Sequence, residues 1–293
     1  MTDQNNQPPL TVARALRTAR ERFTQAGLDS PGLDAEVLLR HVLGWDRTQI
    51  LSRPDIELST DEGARYEALV RERLRDLPVA YLTGEREFMG LPFAVTPAVL
   101  VPRPETEILV EWAADWLRPG GRNRVVDVGT GSGAIALSLA HLLGPDWIGS
   151  ITGIDVSPDA LQVAGRNRAA LGMQERVGLR QGYLLRDVST HVDLILANLP
   201  YLRPDQVDDN PDLAAEPRLA LDGGADGLDL VRELLAGAPR VLAPGGAIGL
   251  EIDPSQARAV QDLARETFPD AAITVLHDLA GHARHVIIET EEP

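Results

Sequence analysis

The chain contains no cysteine and no lysine. The first absence excludes disulfides, thiol nucleophiles and thiolate-held metals. The second leaves arginine as the source of all 28 basic residues and reflects genome composition rather than a demand of the chemistry. No apolar run is long enough to span a bilayer, and Met1–Leu10 is polar with no secretory core, so no membrane attachment and a cytoplasmic location are expected. Basic charge is also scarce beside acid, 28 residues against 44, for a net charge of −16. Residues 1–78 hold 11 arginines and 13 acids, net −2, whereas the remainder holds 17 and 31, net −14. A body this acidic repels phosphate backbones, which argues against direct nucleic-acid binding and leaves a basic protein partner acceptable.

With 293 residues, 44% hydrophobic and 25% charged, the chain has the composition of an ordinary globular protein and the length for two domains. Helical periodicity opens after Thr11 with Val12, Ala15, Leu16, Ala19, Phe23 and Ala26, and stops at Gly27. A second helical pattern runs from Asp34 to Gly44. A third starts at Ser59, with Glu62 placed for a capping box, and closes at Pro78. Residues 1–78 therefore read as a small all-helical domain with nothing catalytic in it, better suited to docking a substrate. Residues 79–103 read as a hairpin linker turned by glycine through Phe88–Val95. Residues 104–293 begin with a helix whose stripe is Ile108, Leu109, Trp112, Ala113, Trp116 and Leu117.

From Arg124 strands and helices alternate, the pattern of an α/β, doubly wound sheet. Val125–Val128 is a strand, Gly129–Thr130–Gly131–Ser132–Gly133–Ala134 the loop that turns into a helix, and Ile148–Ile154 a strand ending at Asp155. Val177–Gln181 follows, and then the apolar run Val192–Ala197, which ends in Asn198–Leu199–Pro200–Tyr201. In open α/β sheets ligands bind beyond the carboxyl ends of the strands, where Asn198 stands. A long Asp- and Pro-rich loop over 203–217, a helix over 228–242, a strand over 247–252, a helix over 255–267 and an antiparallel pair over 273–276 and 285–289 complete the weave.

Glycines let backbone approach a ligand, and a helix start offers free N–H groups. The loop also fits the dinucleotide pattern G-x-G-x-x-[G/A], and Asp155 would serve the ribose diol of either a nicotinamide or an adenosylmethionine cofactor. Ser157 competes with Asp155 for the role of helix cap. Two features favour S-adenosylmethionine. Asp127, just before the loop, would suit a cationic ligand and sit badly beside a pyrophosphate. Asn198–Tyr201 supplies polar acceptors that hydride transfer does not require.

These residues resemble the peptide-chain release factor glutamine methyltransferases. The likeness is carried, in order, by Pro78–Gly84, Val101–Glu107, Asp127–Ala136, Asn198–Tyr201, Glu216–Pro217 with Leu219–Leu221, and Leu242–Gly246. It implies a Rossmann-like, seven-stranded class I methyltransferase domain behind a helical domain that docks the release factor. It implies methyl transfer from S-adenosylmethionine to the glutamine side-chain nitrogen of the Gly-Gly-Gln motif, a reaction of translation termination. Gly129, Thr130, Gly131, Ser132, Gly133, Asp155, Tyr183, Leu184 and Asn198 would face the cofactor. Asn198, Leu199, Pro200 and Tyr201 would hold the substrate amide: the Asn198 oxygen and the Leu199 carbonyl accept its two N–H bonds, Pro200 stiffens the loop and Tyr201 packs on the glutamine.

The chain departs from the family at two positions. Leu199 replaces the first proline of Asn-Pro-Pro-Tyr, and Tyr183 stands where the family has an acid for the adenine amino group, with Asp187 close by in sequence. A glutamine methyltransferase of a ribosomal protein and a non-catalytic cofactor-binding protein are the competing readings. His277, His282 and His285 lack a cysteine or a patterned carboxylate and are assigned to a loop entering a strand, and no metal is expected. Arg218 reads as a structural ion pair. The chain is expected to act as a monomer.

Overall fold

The computed structural model describes residues 9–292. The first eight residues of the expected helical domain, and with them most of the polar Met1–Leu10 stretch, lie outside the described residues. The chain divides into two compact units, one ending at Gly84 and one starting at Glu85.

The first unit is helical: α1 (Val12–Gln25), α2 (Pro31–Leu43), α3 (Arg47–Ser52), α4 (Thr60–Arg73) and α5 (Val79–Thr83). Its ends are set by side chains. Thr11 caps α1 through the Arg14 N–H, and Ser59 and Glu62 cap α4 reciprocally. Val12, Ala19 and Phe23 of α1 bury against Leu38 and Leu39 of α2, Ile50 of α3 and Val70 of α4. Tyr66 enters the same core and donates its hydroxyl to the Ala35 carbonyl at 3.0 Å. Three details differ from the sequence reading. The second helix starts at Pro31 because proline suits a first helical turn. The extra helix α3 follows a capping box at Asp46 and Gln49. The unit also runs six residues past 78, because Val79 and Leu82, three apart on α5, pack onto the helical core before Gly84 stops the turn with a φ of +77°.

The second unit opens with the hairpin β1 (Glu85–Phe88) and β2 (Leu91–Ala94), turned by Met89 and Gly90, both at positive φ. Helix α6 (Thr106–Leu117) precedes the main weave: β3 (Arg124–Val128), α7 (Ala134–Leu143), β4 (Ser150–Asp155), α8 (Pro158–Ala170), β5 (Val177–Gln181) and β6 (Val192–Ala197). Then come the short α9 (Pro204–Asp208), α10 (Asp229–Gly237), β7 (Leu242–Glu251), α11 (Ala257–Thr267), β8 (Ala272–His277) and β9 (Ala283–Glu289). The seven strands are ordered β5-β4-β3-β6-β7-β9-β8, with β9 antiparallel to both neighbours. Pro239 shortens the helix expected over 228–242, and β7 starts at Leu242 because its pairing with β6 resumes across an irregularity.

Strand alternation explains the two cores. Val126, Ile195 and Ile248 face one side with α10 and α11, whereas Val125, Leu194 and Ala247 face the other with α6 and α7. Gly249 has no side chain because α6 crosses there, and a Cβ would come within 2.6 Å of Leu109. From β3 the sheet winds outward both ways, to β4 and to β6, so the crevice opens at the carboxyl ends of β3 and β6.

Candidate active site

A cavity occupies that crevice, lined on one flank by Gly129–Ser132, Asp155–Ser157 and Gly182–Leu184, and on the other by Thr106, Asn198, Leu199 and Pro200. The first flank is built from backbone. Gly129, Gly131 and Gly133 all have positive φ, as a loop folding back under a helix start requires. The Gly129 and Thr130 N–H groups both donate to the Ile154 carbonyl, at 2.8 and 3.0 Å, which lashes the loop to the end of β4. Asp155 continues the lashing: its Oδ2 accepts the Gly131 N–H and its Oδ1 the Ser157 N–H, both at 2.9 Å. Burial raises the Asp155 pKa against those bonds. Ser157, not Asp155, caps α8, accepting from the Ala160 N–H.

These bonds separate the two cofactor readings. With the N–H groups of Gly129, Thr130, Gly131 and Gly133 already donating within the protein, the loop has few amides left for a pyrophosphate. What it presents instead is a carboxylate with further acceptor capacity, a side-chain-free wall at Gly131 and an apolar slot beside Val156 and Leu184. A carboxylate for a diol, bare backbone for close approach and an apolar slot for a base fit an adenosyl ligand.

Asp127 does not have the role the sequence suggested. It is fully buried, it is absent from the cavity lining, and it points to the α7 face of the sheet beside Val125. Its Oδ2 accepts the Thr130 hydroxyl at 2.6 Å and the Ala136 N–H at 3.3 Å, so it latches the glycine loop to the helix from below. Burial pushes its pKa up to about 7.

The second flank is built from side chains distant in sequence. Asn198 follows β6 and donates from Nδ2 to the Thr106 hydroxyl at 3.1 Å. Leu199 lines the cavity yet buries its side chain in the core, where a Cβ on Gly129 would lie 3.2 Å from Leu199 Cδ2. The leucine that replaces the family's proline thus rests against the glycine loop. Pro200 and Tyr201 are pinned through their backbone by residues 221–228. A Cβ on Gly223 would come within 2.4 Å of the Pro200 carbonyl oxygen, one on Gly227 within 2.2 Å of the Tyr201 carbonyl oxygen, and Gln256 Nε2 donates to that same Tyr201 carbonyl at 2.9 Å. Tyr201 is not among the cavity-lining residues. Its burial raises the hydroxyl pKa, and nearby Glu251 adds to the rise.

Tyr183 and Leu184 line the cavity at the end of β5. The Tyr183 hydroxyl donates to Glu233 at 2.8 Å and the Arg186 guanidinium lies over its ring, so the residue is held from outside. Arg103 and Glu216 form an ion pair in which Glu216 is buried and also accepts the Val101 N–H, tying the Val101–Glu107 motif to the 203–217 loop. Arg218 is exposed and pairs with Asp208 and Asp222. The three histidines do not converge: His277 is exposed, His282 meets Asp278 at 3.3 Å, and His285 is buried on β9. Sequence reasoning missed Thr106, Glu251, Gln256 and the glycines at 223 and 227, which act through contacts with residues far along the chain. The only local signals were the threonine inside Val101–Glu107 and the paired glycines after Asp222.

Comparison with known proteins agrees with this architecture. Residues 14–84 match the PrmC N-terminal domain model and residues 121–281 a methyltransferase domain model. The release factor glutamine methyltransferase of Moorella thermoacetica is 43% identical over 277 residues, 94% of this chain and 97% of the relative. That of Deinococcus radiodurans is 40% identical over 272 residues, 92% and 95%. Among solved structures, the T. thermophilus 16S rRNA N2 G1207 methyltransferase shares the fold at 19% identity and a TM-score of 0.52, over 71% of this chain and 50% of its own. At these identities over nearly the whole of both chains, with the two domain models matching in order, the chain belongs to the release factor glutamine methyltransferase family.

Proposed function

We propose that this protein transfers a methyl group from S-adenosylmethionine to the side-chain amide nitrogen of the glutamine in the Gly-Gly-Gln motif of peptide-chain release factors. The observation that carries this reading is the pairing, across one cavity, of a lashed glycine loop and Asp155 with the amide of Asn198 and the backbone of Leu199. The cofactor supplies an electrophilic methyl group on a cationic sulfur. Gly129–Ser132 and Asp155, which line the cavity, would hold its amino-acid and ribose parts, with Gly133 shaping the loop behind them, and Tyr183 and Leu184 would border the base.

An amide nitrogen is a weak nucleophile because its lone pair is delocalised into the carbonyl, so orientation matters more than a strong base. Asn198 Oδ1 and the Leu199 carbonyl each accept one N–H of the substrate amide, which turns the nitrogen toward the methyl carbon. The same acceptors stabilise positive charge as the nitrogen–carbon bond forms and the carbon–sulfur bond breaks. The nitrogen then releases a proton to solvent. Pro200 keeps the Leu199 carbonyl extended, and Tyr201 backs the loop that presents it.

The helical unit, nearly neutral and without a catalytic constellation, docks the release factor. The −14 on the remainder disfavours direct contact with nucleic acid. One chain supplies both flanks of the cavity, which supports action as a monomer, and a translation factor as substrate places the reaction in the cytoplasm. The test is incubation with labelled S-adenosylmethionine and, separately, a purified release factor, its variant with the Gly-Gly-Gln glutamine replaced, and ribosomal proteins. Label on the intact release factor alone supports the assignment. Label on the replaced variant or on ribosomal proteins moves the substrate, and no label anywhere favours a binding protein.

A further inference from the structure

The amide of Asn198 is the outer end of a buried hydrogen-bonded chain. Its Nδ2 donates to the Thr106 hydroxyl at 3.1 Å, and that hydroxyl donates to Glu251 Oε2 at 2.6 Å. His285 Nε2 lies 3.5 Å from the same carboxylate oxygen. Thr106, Glu251 and His285 are 4%, 3% and 0% exposed. The fold explains the meeting. Thr106 opens α6, Glu251 ends β7, and His285 is the cross-strand partner of Glu251 on β9. Asn198 follows the Ala197–Leu250 pair, one step from Glu251 on the adjacent strand.

A side-chain amide is nearly the same shape with its oxygen and nitrogen exchanged, so hydrogen bonds alone decide which end faces a cavity. A threonine hydroxyl has a single proton to give. A carboxylate only accepts, so with Glu251 as its partner the Thr106 proton is committed, and the Thr106 oxygen must accept from its other neighbour. That neighbour is Asn198, which therefore turns Nδ2 inward and leaves Oδ1 for the cavity. The exchanged orientation would aim two N–H donors at the N–H donors of an incoming amide.

We propose that Thr106 and Glu251 are positioning residues that fix the Asn198 amide with its oxygen toward the acceptor substrate. This rests on the reading of Asn198 as an acceptor for the substrate amide. Neither residue touches the reacting atoms, so their effect falls on turnover rather than on binding.

The experiment compares Thr106→Val, Thr106→Ser, Glu251→Gln and Asn198→Ala in the full chain. Methyl transfer to a purified release factor, cofactor affinity by calorimetry and the side-chain amide signals of 15N-labelled protein are measured for each, with the Asn198 signal assigned by its loss in Asn198→Ala. Thr106→Val keeps the shape and removes the acceptor. It is expected to lower kcat about 10- to 100-fold, with KM for the release factor and cofactor affinity changed less than about 3-fold, and to abolish the slow exchange of the Asn198 amide protons. Thr106→Ser restores the hydroxyl and is expected to recover most of both kcat and protection. Glu251→Gln, which can donate as well as accept, should fall between them. Thr106→Val turning over at the wild-type rate, Thr106→Ser being no better than Thr106→Val, or an effect on KM alone would overturn the proposal. If Asn198→Ala itself transfers normally, the acceptor reading of Asn198 fails. The exchange data then still decide whether Thr106 holds the amide. If Thr106→Val does not fold, the contrast of Glu251→Gln with Thr106→Ser carries the same decision.

Discussion

The two flanks of the cavity are made in opposite ways. The glycine-loop flank is local: Gly131 meets Asp155 over a separation of 24 residues, Thr130 meets Asp127 over 3, and most of the donors are backbone. The Asn198 flank is assembled at long range, from Asn198 to Thr106 over 92 residues and from Thr106 to Glu251 over 145, through side chains alone. A backbone wall tolerates changes of side chain and is broken by added atoms. A side-chain relay tolerates added atoms nearby and is broken by changes of chemistry. Substitutions that test this contrast should therefore fail in different measurements, stability and cofactor binding on one flank and turnover on the other.

The largest effect is expected beneath the loop. Asp127 ionises near pH 7 when folded because burial disfavours its charge, against about 3.8 in the unfolded chain. Its folded-state pKa is raised, so the folded protein binds the proton more tightly and stability falls as pH rises from about 4 to about 7, then levels. Asp127→Asn removes that dependence. The difference in unfolding free energy between wild type and variant is expected to shift in the variant's favour by up to about 4 kcal/mol across this window. Denaturant melts at pH 4, 5.5 and 7.5 check it, and parallel curves for the two proteins would show that Asp127 carries no such penalty. Asn198→Ala comes next: loss of an acceptor that acts on developing charge should lower kcat by about 100- to 1,000-fold, with cofactor affinity retained. Single-turnover transfer to a release factor measures it, and equal losses in cofactor binding would mean that the two flanks are not separable.

This contrast also sets how much could be read from the amino-acid order. The glycine loop over Gly129–Gly133 and the strand end at Asp155 were legible as structure because that flank is written in neighbouring residues and in strand ends, and the cavity is lined by all of them except Gly133. The seven strands were legible from their apolar runs, and the family likeness fixed their class. Asn198 was visible because it ends a strand. Thr106 and Glu251 were not, since nothing local to either says that α6 begins over the end of β7. Asp127 was misread for a related reason: its position before the loop was clear, but the alternation of β3 turns it away from the cavity and under α7. The helical boundary at 78 was displaced because proline marks where a helix stops, and Val79–Thr83 starts another turn that packs on the same core.

Within the glycine-loop flank, Asp155→Ala should weaken cofactor binding about 10- to 100-fold, since charged hydrogen bonds contribute roughly 1.5–3 kcal/mol. It should leave kcat at saturating cofactor within a few-fold. Gly129→Ala tests where the flanks touch. The substitution places a Cβ at a φ of +74° and 3.2 Å from Leu199 Cδ2, and is expected to lower stability by about 1–2 kcal/mol. Leu199→Pro, the family's residue, removes the contacting side chain, so the doubly substituted protein should regain part of that loss in a thermal melt. Full additivity of the two changes would show that the glycine loop and the Asn198 loop do not press on one another.

The smallest effect, and the sharpest for the family comparison, is expected at Tyr183. The ring borders the cavity, but its hydroxyl is already bonded to Glu233 and its face is covered by Arg186. With its proton given to Glu233, it has only a neutral phenol oxygen for the adenine amino group, where the family's acid would offer a carboxylate. Tyr183→Asp supplies one hydrogen-bond acceptor at the end of β5 and releases Glu233 to pair with Arg186 alone. One added hydrogen bond of about 1 kcal/mol predicts cofactor affinity tightened about 3- to 10-fold. The rate at saturating cofactor should be unchanged, because nothing on the Asn198 flank has moved. Calorimetry with S-adenosylmethionine reads the affinity, and a rate that changed with it would mean that the base pocket and the amide clamp are coupled.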